Sequence, residues 1–242
     1  MSVSSLCSLY ADIQNCHVCP GMDSSKHVRR TDAIELETDV FVISQSLAKG
    51  TLRLTGVNFF KPDGTLGSTG RLLEKFLNQF SRTVYPLKEV VLENGARIPA
   101  GNPVWRTVYN TEVAQCYPGK ASSGMGDRIP TEQEVLNCQA RGFLAAELAI
   151  IRPKLVFLMG KKSRDTFFKY YLKENHPSTL GAHIDDIVQS GTLPQRTFQG
   201  LSFFVCPIQH AAGGNPWFGK MSRNNAFIEI IAASLQAQQP AV

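Results

Sequence analysis

Short apolar runs alternate with amphipathic stretches along most of this chain. The apolar runs, which predict buried strands, are Asp39–Ser44, Val104–Val113, Leu155–Gly160 and Leu201–Ile208. The amphipathic stretches, which predict helices, are Ser4–Gln14, Ser68–Phe80, Thr131–Ile151, Ser163–Leu172 and Ser222–Gln236. Asn94-Gly95 indicates a hairpin within Val90–Pro99, and Thr131 with Glu134 forms a capping box. The alternation predicts one domain with a three-layer α/β/α fold around a mainly parallel, four-stranded sheet.

Polar clusters follow three of the predicted strands. They are Ser44–Gly56, Asn110–Cys116 and Gln209–Phe218. In a parallel α/β sheet, functional side chains lie beyond the carboxyl ends of the strands, and those ends share one edge. We therefore expect the three clusters to lie together.

The composition narrows the class of protein without deciding it. Of the 242 residues, 43% are apolar, which is enough for a real core, and the net charge is +5. A basic chain suits a polyanionic partner but does not require one. No apolar run approaches the length of a membrane span, and the first residues lack the pattern of a signal peptide. We expect a monomeric protein of the prokaryotic cytosol.

Four of the six cysteines form a suggestive set. Cys16 and Cys19 are a close pair, whereas Cys116 and Cys138 stand far along the chain. This spacing is unlike a compact zinc finger and suits a 4Fe–4S cluster whose thiolates come from separated parts of a domain. Zinc is the alternative metal, because four thiolates also suit it. A redox Cys-x-x-Cys fits less well, since a thioredoxin-like strand and helix should accompany it.

The segment between Asn110 and Cys138 carries a family resemblance. Its motifs are Tyr109-Asn110-Thr111, Cys116-Tyr117-Pro118, and Arg128-Ile129-Pro130-Thr131 followed by Glu134 and Cys138. Their order and spacing resemble the uracil-DNA glycosylase superfamily, most closely its iron–sulfur members, over about Cys16 to Asn225. The strand Leu155–Gly160 also matches. Residues 120–126 form an insertion relative to the pattern we expect.

Two motifs depart from that family. The first, typically Gly-Glu-Ala-Pro-Gly, is Ser44-Gln45-Ser46-Leu47-Ala48 in this chain. The second, typically His-Pro-Ser, is His210-Ala211-Ala212. The fold assignment survives both changes, but uracil is no longer the assured base.

The resemblance implies that three side chains meet a base flipped out of DNA. Asn110 would read the polar edge of a pyrimidine, although an asparagine at a strand end can also simply cap a turn. His210 would hydrogen-bond the base and stabilise the departing anion, although a lone histidine is more often structural. Phe59 would stack on the base, and either Phe59 or Phe60 is the ring that faces inward.

The group that activates water is the least defined part of this interpretation. Ser44 and Ser46 flank Gln45, which stands where the family has a glutamate and would touch the base or orient water. Asp63 and Glu112 are the nearest carboxylates in sequence. Glu112 shares the face of Asn110 on an extended strand. Structural or solvated roles are the alternative for both carboxylates.

The loop after His210 resembles a surface that faces DNA. Gly213 and Gly214 allow close approach to phosphates, and Trp217 or Phe218 would wedge into the base stack. The candidate phosphate contacts are Lys49, Lys220 and Arg223. Burial of the aromatic rings and solvation of the cations are the alternatives.

Together these features predict a monofunctional DNA glycosylase with a structural iron–sulfur cluster. Its base would be uracil or a modified cytosine such as that of phage DNA, and its product an abasic site. The alternative is a weak or inactive DNA-binding module that keeps the fold and the cluster. A third possibility is a zinc-stabilised domain that does not act on DNA.

Overall fold

The computed structural model describes residues 3–23, 29–46, 55–123 and 127–237. Within these ranges the helices are α1 (Val3–Gln14), α2 (Ser68–Leu77), α3 (Glu132–Ala140), α4 (Phe143–Ile151), α5 (Lys161–Thr166), α6 (Leu180–Ser190), α7 (Pro216–Met221) and α8 (Asn225–Gln236). The strands are β1 (Val40–Ser46), β2 (Arg82–Thr83), β3 (Val90–Val91), β4 (Arg97–Ile98), β5 (Arg106–Thr107), β6 (Tyr109–Ala114), β7 (Leu155–Met159), β8 (Gln195–Phe198) and β9 (Leu201–Ile208). Short 3-10 turns cover Thr31–Ala33 and Asn78–Phe80, and α5 continues as a π-helix over Phe167–Leu172.

The central sheet has the order β6-β1-β7-β9-β8. Its first four strands are parallel, as the sequence predicts, but β8 is a fifth strand that pairs antiparallel with β9. Gln199 and Gly200 connect β8 to β9 with φ angles of 49° and 78°. Two positive φ angles make the tight turn that suits a hairpin, but Gln-Gly is a weak sequence signal for it.

The sheet separates two halves of the core. Alternate strand residues face opposite sides, so Val42 and Phe157 pack with α2, α6, α7 and α8. Phe41 and Val156 face the other way and pack with α1, α4 and the π-helix. This arrangement confirms the three-layer α/β/α architecture. The hairpin of β3 and β4 is also present.

Several predicted boundaries differ from the structure. The helix predicted over Thr131–Ile151 is divided into α3 and α4, because Gly142 adopts a φ of 71° between them. The capping box at its start is confirmed, with Thr131 and Glu134 each accepting from the other's main-chain nitrogen. The strand predicted from Val104 begins at Arg106, and Val104 is exposed. Within the described ranges, no helix is long and apolar enough to cross a membrane.

Candidate active site at the carboxyl edge of the sheet

A cavity of about 410 Å³ opens where β1, β6, β7 and β9 end. The residues that line it are Ser44, Gln45, Ser46, Asn58, Phe59, Gly67, Ser68, Thr69, Gly70, Asn110, Glu112, Asp127, Arg128, Met159 and His210. Seven of the residues that the sequence proposes for the base or the water therefore line one cavity. They are Asn110, Ser44, Gln45, Ser46, Phe59, Glu112 and His210. The structure therefore brings described residues of all three polar clusters together at this edge of the sheet.

Asn110 lies on β6, opposite Val42 of β1, and its side chain is 6% exposed. Its Nδ2 atom donates to Glu112 Oε1 at 3.4 Å. Its Oδ1 atom is buried and finds no hydrogen-bond donor among the described residues. A buried acceptor without a partner is costly, so such an atom on a residue of a cavity wall calls for a donor from water, from a ligand or from a change of side-chain position.

Glu112 follows Asn110 on the same face of β6 and is also buried. Its Oε2 atom accepts from Arg29 Nη2 at 2.7 Å, and both side chains are 4% exposed. Burial raises the pKa of Glu112, and the nearby Arg29 guanidinium limits that rise. Arg29 also donates to the main-chain oxygen of Asn110. Sequence reasoning missed Arg29, because no motif surrounds it.

His210 stands just beyond β9 and packs against Gly160, which ends β7. A Cβ atom at Gly160 would lie 3.4 Å from the His210 Cβ atom, and Gly160 has a φ of 90°. Partial burial lowers the pKa of His210 below its usual value of about 6.5. The imidazole is therefore neutral at neutral pH and can donate from one ring nitrogen.

Phe59 is the ring that faces the cavity, whereas Phe60 is fully buried in the core against Tyr85. Phe59 adopts a φ of 71°, which is uncommon for a residue with a bulky side chain. A Cβ atom at Gly70 would lie 2.7 Å from the Phe59 Cβ atom. The start of α2 therefore needs a glycine at position 70 so that this aromatic can occupy the cavity wall.

The two other candidate groups for water activation, Gln45 and Asp63, occupy different places in the structure. Gln45 lines the cavity, but Asp63 does not. Asp63 is exposed, and its Oδ1 atom accepts from the main-chain nitrogen and hydroxyl of Thr65 at 2.9 and 2.6 Å. Its carboxylate shapes the turn before α2, so its nearness in sequence does not bring it to the site.

Asp127 and Arg128 are cavity residues that sequence reasoning did not propose for the site. Arg128 pairs with Glu134 at 2.5 Å and donates to the main-chain oxygen of Gly21 at 2.7 Å. Asp127 accepts from the Tyr117 hydroxyl at 3.2 Å. The sequence feature that could have identified them is the Arg-x-Pro-Thr motif. It begins at Arg128, directly after Asp127, and lies between Cys116 and Cys138.

The opposite face of β6 carries a second buried polar cluster. Glu147 of α4 accepts from Tyr109 at 2.6 Å, from Thr111 at 2.5 Å and from Gln115 at 2.9 Å. The Tyr10 and Tyr109 hydroxyls lie 2.6 Å apart. Burial raises the pKa of Glu147, and Arg29 and the three donors limit that rise.

The loop after His210 forms the rim of the cavity. Gly213, Gly214 and Trp217 are exposed, with Trp217 at 59%, while Phe218 packs in the core. Lys220 lies over the Trp217 ring at 5.4 Å from its centre, and Arg223 is exposed nearby. Of the two rings that the sequence proposes as a wedge, Trp217 is therefore the one at the surface. Lys49, the third cation named from the sequence, lies outside the described residues, as do Leu47 and Ala48.

A groove of about 540 Å³ adjoins the cavity and shares His210 with it. Lys161, Thr179 and Trp217 also line this groove. It extends the cavity along the rim that carries the exposed glycines.

The four cysteines of the proposed cluster line one small cavity. All six cysteines of the chain are free thiols, and Cys116 is buried. Cys19 Sγ accepts from Asn137 Nδ2 and Cys138 Sγ from Gln115 N, each at 3.4 Å. Burial, with the neighbouring cysteines, raises the pKa of Cys116 and of Cys138 to about 12. Among the described residues, no three or more His, Cys, Asp or Glu side chains are arranged to hold a metal ion.

The comparisons with known proteins give the class. The model of the uracil DNA glycosylase superfamily matches residues 31–233, and the chain therefore belongs to that superfamily. Members of this superfamily are in general DNA glycosylases, which are hydrolases that act on DNA. No match was found among curated proteins. The matched region contains Cys116 and Cys138 but begins after Cys16 and Cys19.

Proposed function

We propose that this protein is a DNA glycosylase that flips a non-canonical pyrimidine into the cavity and hydrolyses its N-glycosidic bond, leaving an abasic site. The observation that carries this proposal is that Asn110 lines the same cavity as His210 and has a buried Oδ1 atom with no hydrogen-bond partner among the described residues. A flipped pyrimidine supplies the missing donor from its imino or amino group.

Each wall of the cavity has a part in this reaction. Asn110 hydrogen-bonds the polar edge of the base, and Phe59 stacks on its face. The neutral imidazole of His210 donates to a base oxygen as negative charge flows onto the leaving base. Because this charge grows in the transition state, a fixed donor stabilises that state more than the bound substrate.

The attacking water would be held by polar side chains at the strand ends. Gln45 takes the place of the family's glutamate, and Asp127 is the wall carboxylate that is not committed to Arg29. None of the described residues that line the cavity is a lysine. Hydrolysis by water needs no amine nucleophile at the sugar carbon, and this is the course that we propose for a monofunctional enzyme.

The base is uracil or a modified cytosine. The cavity volume falls in the range of about 300–1,000 Å³ that is usual for ligand pockets, and four hydroxyl-bearing residues line it, namely Ser44, Ser46, Ser68 and Thr69. Hydroxyl groups suit a hydroxymethyl or sugar substituent on cytosine, as in some phage DNA. In that case the enzyme would serve antiviral defence, whereas release of uracil would make it a repair enzyme.

DNA would lie across the rim and the adjoining groove. Gly213 and Gly214 present main chain without side chains, and the exposed Trp217 would fill the space that the base leaves. Lys220 and Arg223 would contact phosphates. The net charge of +5 is consistent with such a partner.

Cys16, Cys19, Cys116 and Cys138 would hold a structural 4Fe–4S cluster that fastens the N-terminal segment to the domain. Support comes from the donor set, which is four free thiols around one cavity. Asp23 and Tyr117 already join the two segments by main-chain hydrogen bonds of 2.9 and 3.2 Å. Zinc remains the alternative metal.

The metal is tested by analysing the purified protein for iron, sulfide and zinc. We expect a brown protein with iron and sulfide in equal amounts, and loss of both in Cys138→Ser. Cys7→Ser is the control, because Cys7 is exposed outside the cavity of the four cysteines. A colourless protein with stoichiometric zinc would overturn the cluster.

The activity is tested with oligonucleotides that contain uracil, cytosine or hydroxymethylcytosine, single- and double-stranded, and with phage DNA that carries glucosylated cytosine. Abasic sites are detected by strand cleavage in alkali. Release of one of these bases, lost in Asn110→Ala while DNA affinity remains, supports the proposal. DNA binding without release from any substrate would instead identify an inactive DNA-binding module.

A further inference from the structure

We propose that Glu112 is a positioning residue that fixes the Asn110 side chain with its oxygen toward the cavity. The pocket then accepts a hydrogen bond from the base rather than donating one at this point. This inference deepens the proposed function and rests on it, because it assigns the polarity with which the flipped base is read.

The main chain of Asn110 is held from two sides. Its carbonyl oxygen accepts from Arg29 and from Asn58 Nδ2, the latter at 3.2 Å. The Asn110 side chain therefore starts from a fixed point, and rotation of its amide is the remaining freedom. Glu112 Oε1, at 3.4 Å from Asn110 Nδ2, faces that amide.

The charge pair decides which end of the amide faces Glu112. Arg29 carries donors and no acceptor, and its 2.7 Å contact with Oε2 favours the ionised carboxylate. An ionised carboxylate only accepts hydrogen bonds, so it attracts the amide nitrogen and repels the amide oxygen. Both carboxylate and amide are buried, where water does not weaken this preference.

Glu112 also has little freedom to act as the base that activates water. One of its oxygens is bound by Arg29 and the other by Asn110. The same contacts that remove it from that role give it control over Asn110. The unpartnered Oδ1 atom is the result of this arrangement, since Glu112 holds the Nδ2 end of the amide.

The polarity matters because uracil and cytosine present opposite groups at neighbouring positions. Uracil offers its N3–H donor beside the O4 acceptor, whereas cytosine offers its N3 acceptor beside the amino donor. A fixed amide meets one of these edges with matched partners and the other with repulsion. A good bidentate pair of this kind is worth about 1–3 kcal/mol in discrimination.

The test measures binding rather than base release. The probes are two duplexes that differ in one nucleotide, 2′-fluoroarabino-uridine or 2′-fluoroarabino-cytidine, whose glycosidic bonds resist hydrolysis. The quantity compared is the ratio of the two dissociation constants. We expect this ratio to differ from one by about tenfold or more in the wild type.

Two variants change the control of the amide. In Glu112→Gln, the new amide can accept from Arg29 with its oxygen and present its nitrogen to Asn110, which favours the opposite Asn110 rotamer. The ratio of the two dissociation constants should then change by about tenfold, so that the duplexes bind equally well or the preference is reversed. Glu112→Asp keeps the charge opposite Arg29 but does not reach Asn110, and its ratio should move toward equality without reversal.

Glu74→Gln is the matched control. Glu74 binds the Thr83 hydroxyl and the Val84 nitrogen away from the cavity, so its ratio should remain that of the wild type. Thermal unfolding followed by circular dichroism checks that each variant is folded. Glu112→Asp decides the question if Glu112→Gln does not fold.

Equal binding of the two duplexes by the wild type, or an unchanged ratio in a folded Glu112 variant, would overturn the inference. If the ratio moves as expected but no base is released in the activity assay, the proposed hydrolysis fails while the positioning role of Glu112 stands.

Discussion

The two faces of β6 carry equally buried polar side chains whose hydrogen-bonding needs are met in different ways. On one face, Glu147 accepts from three neutral donors contributed by Tyr109, Thr111 and Gln115. On the other face, Glu112 is paired with Arg29, and Asn110 keeps an acceptor without a partner. A buried group whose hydrogen bonds are all made within the protein stabilises the fold. A buried group that lacks a partner at a cavity wall is a candidate to bind a ligand. The same strand thus supports the fold with one face and, in the proposed function, reads a base with the other.

Replacing Glu147 with alanine is expected to cause the largest loss of stability. The substitution removes the acceptor that three buried donors share, and each donor left unmet costs about 1–3 kcal/mol. Gln115 keeps its bonds to Thr111 and to the Glu112 carbonyl, and Tyr109 keeps its contact with Tyr10. Chemical denaturation should show the free energy of unfolding lowered by about 3 kcal/mol or more. Asn110→Ala should cost about 1 kcal/mol or less in the same measurement, because its Oδ1 atom has no bond to lose. Equal losses in the two variants would contradict the contrast between the faces.

Asn110→Ala should instead affect the chemistry. Asn110 holds the base in the orientation for cleavage, and loss of such positioning can slow an enzyme by about 100-fold. We expect base release in single-turnover assays to fall by this factor, while affinity for undamaged DNA stays within a few-fold. A large loss of DNA affinity with unchanged release would place Asn110 on the DNA surface rather than in the base pocket.

His183 of α6 extends the comparison to a third buried polar group. It lies in the helical layer rather than at the cavity wall, and its effect on stability should depend on pH. Its Nδ1 atom is buried and has no partner among the described residues. Burial, helped by Arg164, lowers the pKa of His183 to about 4. Between that value and about 6.5 the unfolded chain binds more protons, so stability is lost as the pH falls through this window.

The difference in unfolding free energy between pH 6.5 and 4 should therefore be smaller in His183→Met than in the wild type, by about 2 kcal/mol. Titration of the carboxylates occurs in both proteins and cancels in this comparison. Identical pH profiles would show that His183 gains no proton on unfolding. Asn110→Ala, which removes no titratable group, is the control and should keep the wild-type profile.

Trp217→Ala should have the smallest effect, confined to DNA binding. Its ring is 59% exposed at the rim, and loss of an aromatic contact with a base stack costs about 1–3 kcal/mol. We expect DNA affinity to fall by about tenfold in fluorescence anisotropy, with little change in stability. Trp105→Ala is the matched control, because Trp105 precedes β5 at the opposite end of the strands. Equal effects of both tryptophans would remove Trp217 as the wedge.

Much of the site could be predicted from sequence because parallel strands deliver their following residues to one edge. Asn110 and His210 stand 100 positions apart, yet each directly follows or ends an apolar run. The alternation of faces on β6 likewise placed Glu112 beside Asn110. Such relations can be predicted from sequence because residues two positions apart in a strand lie on the same face of the sheet.

Other parts depended on contacts that no local pattern records. Arg29 comes from a segment without periodicity, and only its pairing with Glu112 gives it a role. Asp63 shows the converse error, since proximity in sequence suggested a site that its turn with Thr65 prevents. The helix α7 was missed although Asn215 and Pro216 form a readable start, with Asn215 accepting from Trp217 N. The antiparallel strand β8 was missed because its residues are polar and lie at an edge.

The glycine at position 70 has a consequence for attempts to make this protein more robust. General rules recommend alanine in place of a helical glycine, with a gain of about 1 kcal/mol from helix propensity. At Gly70 the added methyl group would meet Phe59 at 2.7 Å and Leu66 at 2.9 Å. A thermostabilisation campaign guided by propensity alone would select this substitution and displace the aromatic wall of the cavity with it.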